Sequence, residues 1–425
     1  MRTFGRIALG LTFAGGLAPG CGDDTGAAMP TTDASSSGSS GPAVSTGPGT
    51  STAVDDPDSS DGPDPDTGPM PLTCNDGVID IGELCLLDAV ELDVGLAPSD
   101  VVLGDLQGDG ALDIVTADVF DNTHSVILGD GRGGFADFVP IPAGVGTRGV
   151  ALGYFDQDRI LDMAGANQGT EYVAVYLGDG KGGFTDQQPV AAESGPRAVS
   201  IVDIDGDGWG DFISVGEFSE DVTVRRNDGA GDFLPAEVYP VGPEPYDLVV
   251  ADVDGDGTLD VATCNRGEDT VSVLRGDGTG QLGAEERLVV GGGPRGIAAA
   301  DMDGDGIVDL VTANFDDDRL GLLHADGMGG WRDLETYVVG LEPYAVSLAD
   351  LTADGVPELI AVRRGSADVV VFEKVSDGVY DQRGTYILPP NPLSVEVGHL
   401  DDDGAPDLVV ASSGVNAVSV LMSFP

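Results

Sequence analysis

The stretch Asp203-Ile204-Asp205-Gly206-Asp207-Gly208-Trp209-Gly210-Asp211 decides the fold, because it recurs. The acidic nonamer returns at residues 252–260 and 301–309, and looser forms start at Asp105, Tyr154, Asp350 and His399. All seven starts are 49 residues apart without an insertion, so the chain beyond residue 83 is seven copies of one unit. Self-similarity at such a period marks an architecture in which each unit buries its apolar face against its neighbours.

Within a unit the apolar runs are short. In the fifth, Gly296–Ala300 leads into the acidic loop and Leu310–Ala313 leaves it; Leu320–Leu323 follows, then the turn Asp326-Gly327-Met328-Gly329-Gly330, then Glu335–Val339. Runs of this length separated by Asp-Gly turns are hairpin signals. Four antiparallel strands per unit make the blade of a β-propeller, whereas a parallel β-helix uses shorter repeats. The expected fold is therefore all-β, a seven-bladed β-propeller over residues 86–425. The last unit stops after its third strand, Val418–Leu421, and Ala89–Val94 aligns with the fourth strand Ala236–Val241 of a middle unit. The N-terminal strand is expected to complete the last blade and close the ring.

The spacing D-x-D-G-D-G-x-x-D offers carboxylates at positions 1, 3, 5 and 9, a backbone carbonyl at 7 and Gly where the loop turns sharply. That is the oxygen-rich donor set of a hard dication. Without a cation, carboxylates about 5 Å apart repel by roughly 3 kcal/mol per pair at an effective dielectric of 20. Turn capping by Asp, the simpler reading, needs one such residue and not four.

The nonamers, with turns such as Gly129-Asp130-Gly131-Arg132-Gly133-Gly134-Phe135, resemble FG-GAP/VCBS repeats, the calcium-binding propellers of integrin α subunits and many exported bacterial proteins. The resemblance implies Ca2+ at three full sites. The first comprises Asp203, Asp205, Asp207, Asp211 and the carbonyl of Trp209; the second Asp252, Asp254, Asp256, Asp260 and Thr258; the third Asp301, Asp303, Asp305, Asp309 and Ile307. Two marginal sites are expected at Asp105, Asp109 and Asp113, where Gln107 interrupts, and at Asp401, Asp403 and Asp407, where His399 opens the loop. The unit at Asp350 has Thr352 and Glu358 and is expected to fail. In the second unit Arg159 is expected to replace the metal charge.

The acidic loops and the Asp-Gly turns fall on one face of such a ring. On the other face, six residues before each start, stand Ser99, Arg148, Arg197, Tyr246, Arg295, Tyr344 and Leu393. Thirteen residues after each start come Asp118, Asn167, Gly216, Asn265, Asn314, Arg363 and Ser412. Arg148, Arg197, Tyr246, Arg295 and Tyr344 are the ligand-binding candidates, with the asparagines beside them, for a carboxylate, sulfated or sugar-like ligand or a protein loop. The competing reading has the arginines pairing with surrounding acids to lock neighbouring blades.

The N-terminus reads as an export address. Arg2 and Arg6 precede the apolar run 7–18, too short to span a bilayer, and Cys21 follows a small residue. Residues 1–20 thus resemble a bacterial lipoprotein signal peptide, with Ala18 where that pattern usually has Leu, and Cys21 is the expected lipidation site. Residues 21–73, with nine aspartates after Cys21 and no Lys or Arg, read as a disordered tether. Cys74 and Cys85 bracket a turn-rich segment and are the expected disulfide of an exported chain; Cys264 is expected to be a buried free thiol. The location implied is exported and lipid-anchored to the cell envelope, at the outer membrane or cell surface.

Composition narrows function. With 74 acidic against 19 basic residues the net charge is −55, which argues against a nucleic-acid partner and leaves the membrane to the N-terminal lipid. There are three histidines and no recognisable catalytic motif. A non-catalytic, surface-displayed propeller that binds a protein or glycan is the primary expectation. The alternative is a polysaccharide lyase or hydrolase-type enzyme using the Arg/Tyr funnel, with His124 the one histidine expected near it.

Overall fold

Seven four-stranded antiparallel sheets follow one another along the chain, six of them made of four consecutive strands in sequential order, in a computed structural model that describes residues 85–424 except 186, 193 and 377. Among the described residues there is no helix. The signal peptide, tether and Cys21 lie outside the described residues, as do Cys74 and the side chain of Cys85, and with them the expected disulfide.

The third blade shows the pattern: strands Pro196–Val202, Asp211–Gly216, Asp221–Arg225 and Glu237–Pro240. The first two bury nearly every residue, while the fourth alternates half-buried and exposed positions, as the outermost strand of a blade should. First strands of neighbouring blades run side by side around the centre. At Gly149 an added Cβ would lie 3.1 Å from Ala198 Cα, so the backbones approach too closely there for a side chain.

No single core exists. Seven apolar clusters occupy the seven seams between blades, for example Ala198, Ile213, Val215 and Val224 of the third blade against Leu248, Val250 and Val261 of the fourth. Each fully buried Val, Ile or Leu contributes about 1.5–3 kcal/mol, and a seam exists only when both its blades are present. Cys264 is buried within one of these clusters as a free thiol.

The ring closes as the sequence implied. Val90–Asp93 pairs antiparallel with Ala417–Leu421, in the register Val90 with Val420 and Leu92 with Val418, and becomes the fourth strand of the seventh blade. Val94 then packs with Val101 and Leu103 of the first blade and Val409 and Val418 of the seventh. The sixth blade departs from the others: a long hairpin, Asp368–Ser376 with Val379–Ile387, stands where other blades have a Gly-rich turn.

Deleting residues 85–94 removes the latch and exposes the third strand of the seventh blade. We expect a lower melting temperature, with limited proteolysis cutting first within residues 413–424; unchanged melting and an uncut C-terminus would show that closure does not depend on this strand.

Candidate functional site

The ninth position of the acidic loop opens the second strand of every blade and is buried in all seven: Asp113, Asp162, Asp211, Asp260, Asp309, Glu358 and Asp407. In the third blade one oxygen of Asp211 accepts the N–H of Ile204 at 3.1 Å and the other that of Asn227 at 2.7 Å. The same pair of bonds recurs at Asp113 and Asp260. This carboxylate therefore staples its own loop to the turn between the third and fourth strands. Burial pushes the Asp211 carboxyl up to about 7 despite those two bonds, with Asp205 and Asp207 adding to the rise. Asp260 is raised by burial too. An adjacent dication would act in the opposite sense.

Around this anchor the three full loops bring carboxylates together. Ligand oxygens of Asp203, Asp205 and Asp211 lie within 4.8 Å of one another, as do those of Asp252, Asp254 and Asp260, and those of Asp301, Asp303 and Asp309. These are the groupings of three or more found among the described residues, and each has the all-oxygen donors of a metal-ion site. The first aspartate also shapes the loop: Asp252 accepts the N–H of Gly255 at 2.7 Å and of Gly257 at 2.9 Å. Gly257 has a φ of 91°, so a side chain there would strain the turn. The fifth-position carboxylates do not join these groups. Asp207, Asp256 and Asp305 each accept the N–H two residues on, from Trp209, Thr258 and Ile307.

The degenerate loops keep the turn without the cluster. Asp105 accepts the N–H groups of Gly108 and Gly110, and Asp109 that of Ala111. Asp401 and Asp403 similarly accept the N–H groups of Asp403 and Ala405, while His399 Nδ1 lies 3.0 Å from the Ala405 carbonyl. In the sixth loop the Thr352 hydroxyl donates to Glu358, closing it internally. Arg159 corrects one expectation: it is exposed, at a φ of 68°, and forms no ion pair with the aspartates of its loop, so it does not take the place of a cation.

The sequence reading overlooked the basic side chains that meet these clusters. Arg226 lies 3.5 Å from Asp205, Arg275 lies 3.3 Å from Asp260 and 3.7 Å from Asp254, and His324 Nδ1 lies 2.9 Å from Asp309. Each stands 23 residues after its start, a register filled by Leu128, Leu177, Glu373 and Met422 in the other units. Basic residues thus recur only where the loop is fully acidic. Arg332 adds bonds to Asp303 and Asp305.

The opposite face is built by a different device. Each first strand starts at a proline, or Thr147 in the second blade, and its pairing skips the next residue: Pro196 pairs with Gly216 and Ala198 with Val215, leaving Arg197 as a bulge. The same shift occurs in all seven blades. The skipped residues are Ser99, Arg148, Arg197, Tyr246, Arg295, Tyr344 and Leu393, and all seven line one central funnel enclosing about 50 Å³. Bulges re-aim side chains in this way.

Within the funnel Arg197 stacks on the Tyr246 ring at 3.3 Å and pairs with Glu217 of its own blade at 3.2 Å. The Tyr246 and Tyr344 hydroxyls bond each other across two blades, and burial pushes the Tyr246 hydroxyl up. Arg148 Nε donates to Gln168, whose amide donates in turn to Glu217 at 2.6 Å. Arg295 lies 3.5 Å over the Phe315 ring. Among the described residues the ion pair made by a ring arginine, Arg197 with Glu217, lies within one blade, and Glu217 is also 3.9 Å from Arg266 of the next.

Two expectations for this face are corrected. Asn167, Asn265 and Asn314 do not line the funnel; they are buried at the ends of second strands. There Asn167 accepts the Gly144 N–H and Asn265 donates to Thr270 and Ser272, because a connection leaving a buried strand must have its polar groups met internally. His124 is also absent from the funnel. It is wholly buried at the seam of the first two blades, against Gly165 and edge-on to Tyr176, and burial pushes its pKa down to about 4.

A family model described as FG-GAP-like repeat matches the chain in four overlapping windows, residues 154–214, 203–263, 252–312 and 301–361. No curated protein matches significantly in sequence. Among solved structures the chain is similar to BBS1N in its complex with ARL6DN (TM-score 0.55, 14% identity, 79% of this chain and 98% of that one). It is similar also to virginiamycin B lyase from Staphylococcus aureus (TM-score 0.55, 11% identity, 79% and 99%). A third is an Agrocybe aegerita lectin described for recognition of non-reducing terminal N-acetylglucosamine (TM-score 0.50, 19% identity, 78% and 86%). At these identities the likeness is one of fold.

The buried His124 generates a pH test. Its folded pKa of about 4 lies below the ordinary 6.5, so its contribution to stability is complete above pH 6.5 and is lost as pH falls towards 4. Relative to a His124→Gln variant, wild type should lose up to about 1.4 kcal/mol per pH unit across that window. A constant difference in denaturant melts between pH 7 and 4 would contradict the assignment.

Proposed function

The chain is an FG-GAP-repeat β-propeller, and on that premise we propose that it is a calcium-stabilised, non-catalytic binding protein that takes a protein or glycan ligand at its funnel face. The observation that carries the calcium assignment is the convergence of three carboxylates, one of them buried, in each full loop. A hard cation with six to eight oxygen ligands suits such a set, completed by the carbonyls of Trp209, Thr258 and Ile307, the fifth-position carboxylates and water. Calcium here would neutralise the loops and hold the first two strands of three consecutive blades in register.

The binding reading is favoured over the lyase or hydrolase alternative by the funnel's chemistry. A lyase needs a base beside the arginines. The Tyr246 hydroxyl is held protonated by burial and bonded to Tyr344, His124 is sealed in a blade seam, and His324 faces a metal loop.

Export and lipid anchoring through Cys21 belong to the same proposal. The described chain enters at residues 85–86, paired with Ser423–Phe424, and the Ser423 N–H donates to Asp407 of the seventh acidic loop.

The test is calorimetric melting of the whole protein with calcium and after chelation, beside a calcium titration. We expect about three sites and a fall in melting temperature on chelation, each site contributing about 2.7 kcal/mol at a hundredfold excess over Kd. Asp252→Asn keeps the turn-capping oxygen and should remove one site. No bound calcium and no shift would return the loops to turn chemistry alone.

A further inference from the structure

We propose that the funnel is a carboxylate-binding site that receives a glutamate side chain from a neutral or basic segment of a partner protein, gripped by Arg148 and Arg295. This rests on the ligand-binding reading above and specifies the chemistry of the ligand.

In a chain with 74 acidic and 19 basic residues, carboxylates are plentiful around the arginines. Arg197, Arg226, Arg266, Arg275, Arg287, Arg332, Arg363 and Arg383 all have one within 4 Å. Among the described residues the exposed Arg132, Arg159 and Arg319, and Arg364, have no such pair either, but in the funnel the arginines without one are Arg148 and Arg295. Arg148 spends Nε on a neutral amide and has no bond from its terminal nitrogens. Arg295 lies flat on Phe315, and its buried Nε has no partner at all. Burial and the neighbouring Arg197 both depress the Arg148 pKa, the sense expected of a cation lacking its counter-charge. The funnel's own acids are committed elsewhere: Asp100 accepts the Val150 N–H and the Ser394 hydroxyl, and Asp247 the N–H groups of Leu248 and Ile297. Two partly buried guanidinium groups with free donors, flanked by tyrosine hydroxyls, match a carboxylate, which accepts bonds at both oxygens.

Reach and charge narrow the source. A uronate carries its carboxylate directly on the ring, while glutamate delivers it on a two-carbon stem. A polyanion would also meet the repulsion of a chain with net charge −55, so the ligand's remaining residues should be neutral or basic. The face around the funnel supplies apolar contacts for such a segment, with Leu96, Phe120, Val145 and Phe218 exposed on its connections.

The experiment titrates the whole calcium-loaded protein with N-acetylglutamate α-amide, N-acetylglutamine α-amide and galacturonate, read by NMR of the tyrosine and arginine side chains. The glutamate compound should bind saturably, at least tenfold tighter than the glutamine compound. An Arg148→Gln/Arg295→Gln variant should lose at least tenfold while keeping its melting temperature. Should that variant misfold, Arg148→Lys, which keeps the charge without the planar fork, should still weaken binding. Equal binding of glutamate and glutamine compounds would overturn the carboxylate site and leave the docking face standing. Galacturonate binding as tightly would overturn the choice of a protein ligand. No binding of any probe would overturn the site and remove support from the docking reading as well.

Discussion

A buried carboxylate at the head of each second strand is the interaction on which this propeller depends. It accepts one N–H from the loop before it and, in six of the seven blades, one from the turn beside it, so that two otherwise separate loops are tied to the most buried strand of the sheet. A buried acceptor left unmet, or a donor left facing it, costs about 1–3 kcal/mol. Because Asp162 does this in a loop without a carboxylate cluster, the ninth aspartate has a structural duty separate from any metal. Glu358 reaches the same loop N–H from a longer side chain, at Leu351, and burial pushes it up to about 7.

The two faces divide the work by geometry. First strands run towards the acidic loops and begin at the funnel, so one strand carries a bulge at one end and a carboxylate loop at the other. At the loop end the charges are dense and of one sign, and the cations in contact with them are few and recur in register. At the funnel end the bulge turns seven residues towards one axis, where they touch across blades far apart in sequence, as Arg197 and Tyr344 do. Function at the first end is local to a unit; at the second it belongs to the ring.

The excess of acid makes the exceptions informative. Arg226, Arg275 and Arg332 temper the repulsion inside the acidic loops, and Arg363 pairs with Asp368 inside its own blade. The unpaired state of Arg148 and Arg295 reflects position: a neutral amide meets one and an aromatic ring the other, while the funnel's Asp100 and Asp247 are taken up by backbone N–H groups and a serine hydroxyl.

The sequence by itself determined the number of blades, their strand order and the closing strand, because a strict 49-residue period and a truncated last unit leave no other way to bury the apolar runs. It also located the acidic loops, since their chemistry lies within nine consecutive residues. Only the tertiary structure decided which carboxylates meet, because the fifth aspartate turns back to its own backbone while the first, third and ninth converge. The fate of Asn167, Asn265, Asn314 and His124 was likewise illegible: a position near a strand end is compatible with either face, and side-chain direction depends on the neighbouring blade. The ring of Arg148, Arg197, Tyr246, Arg295 and Tyr344 was visible as a register, but its convergence required the bulge, a feature of pairing between strands that no single segment encodes.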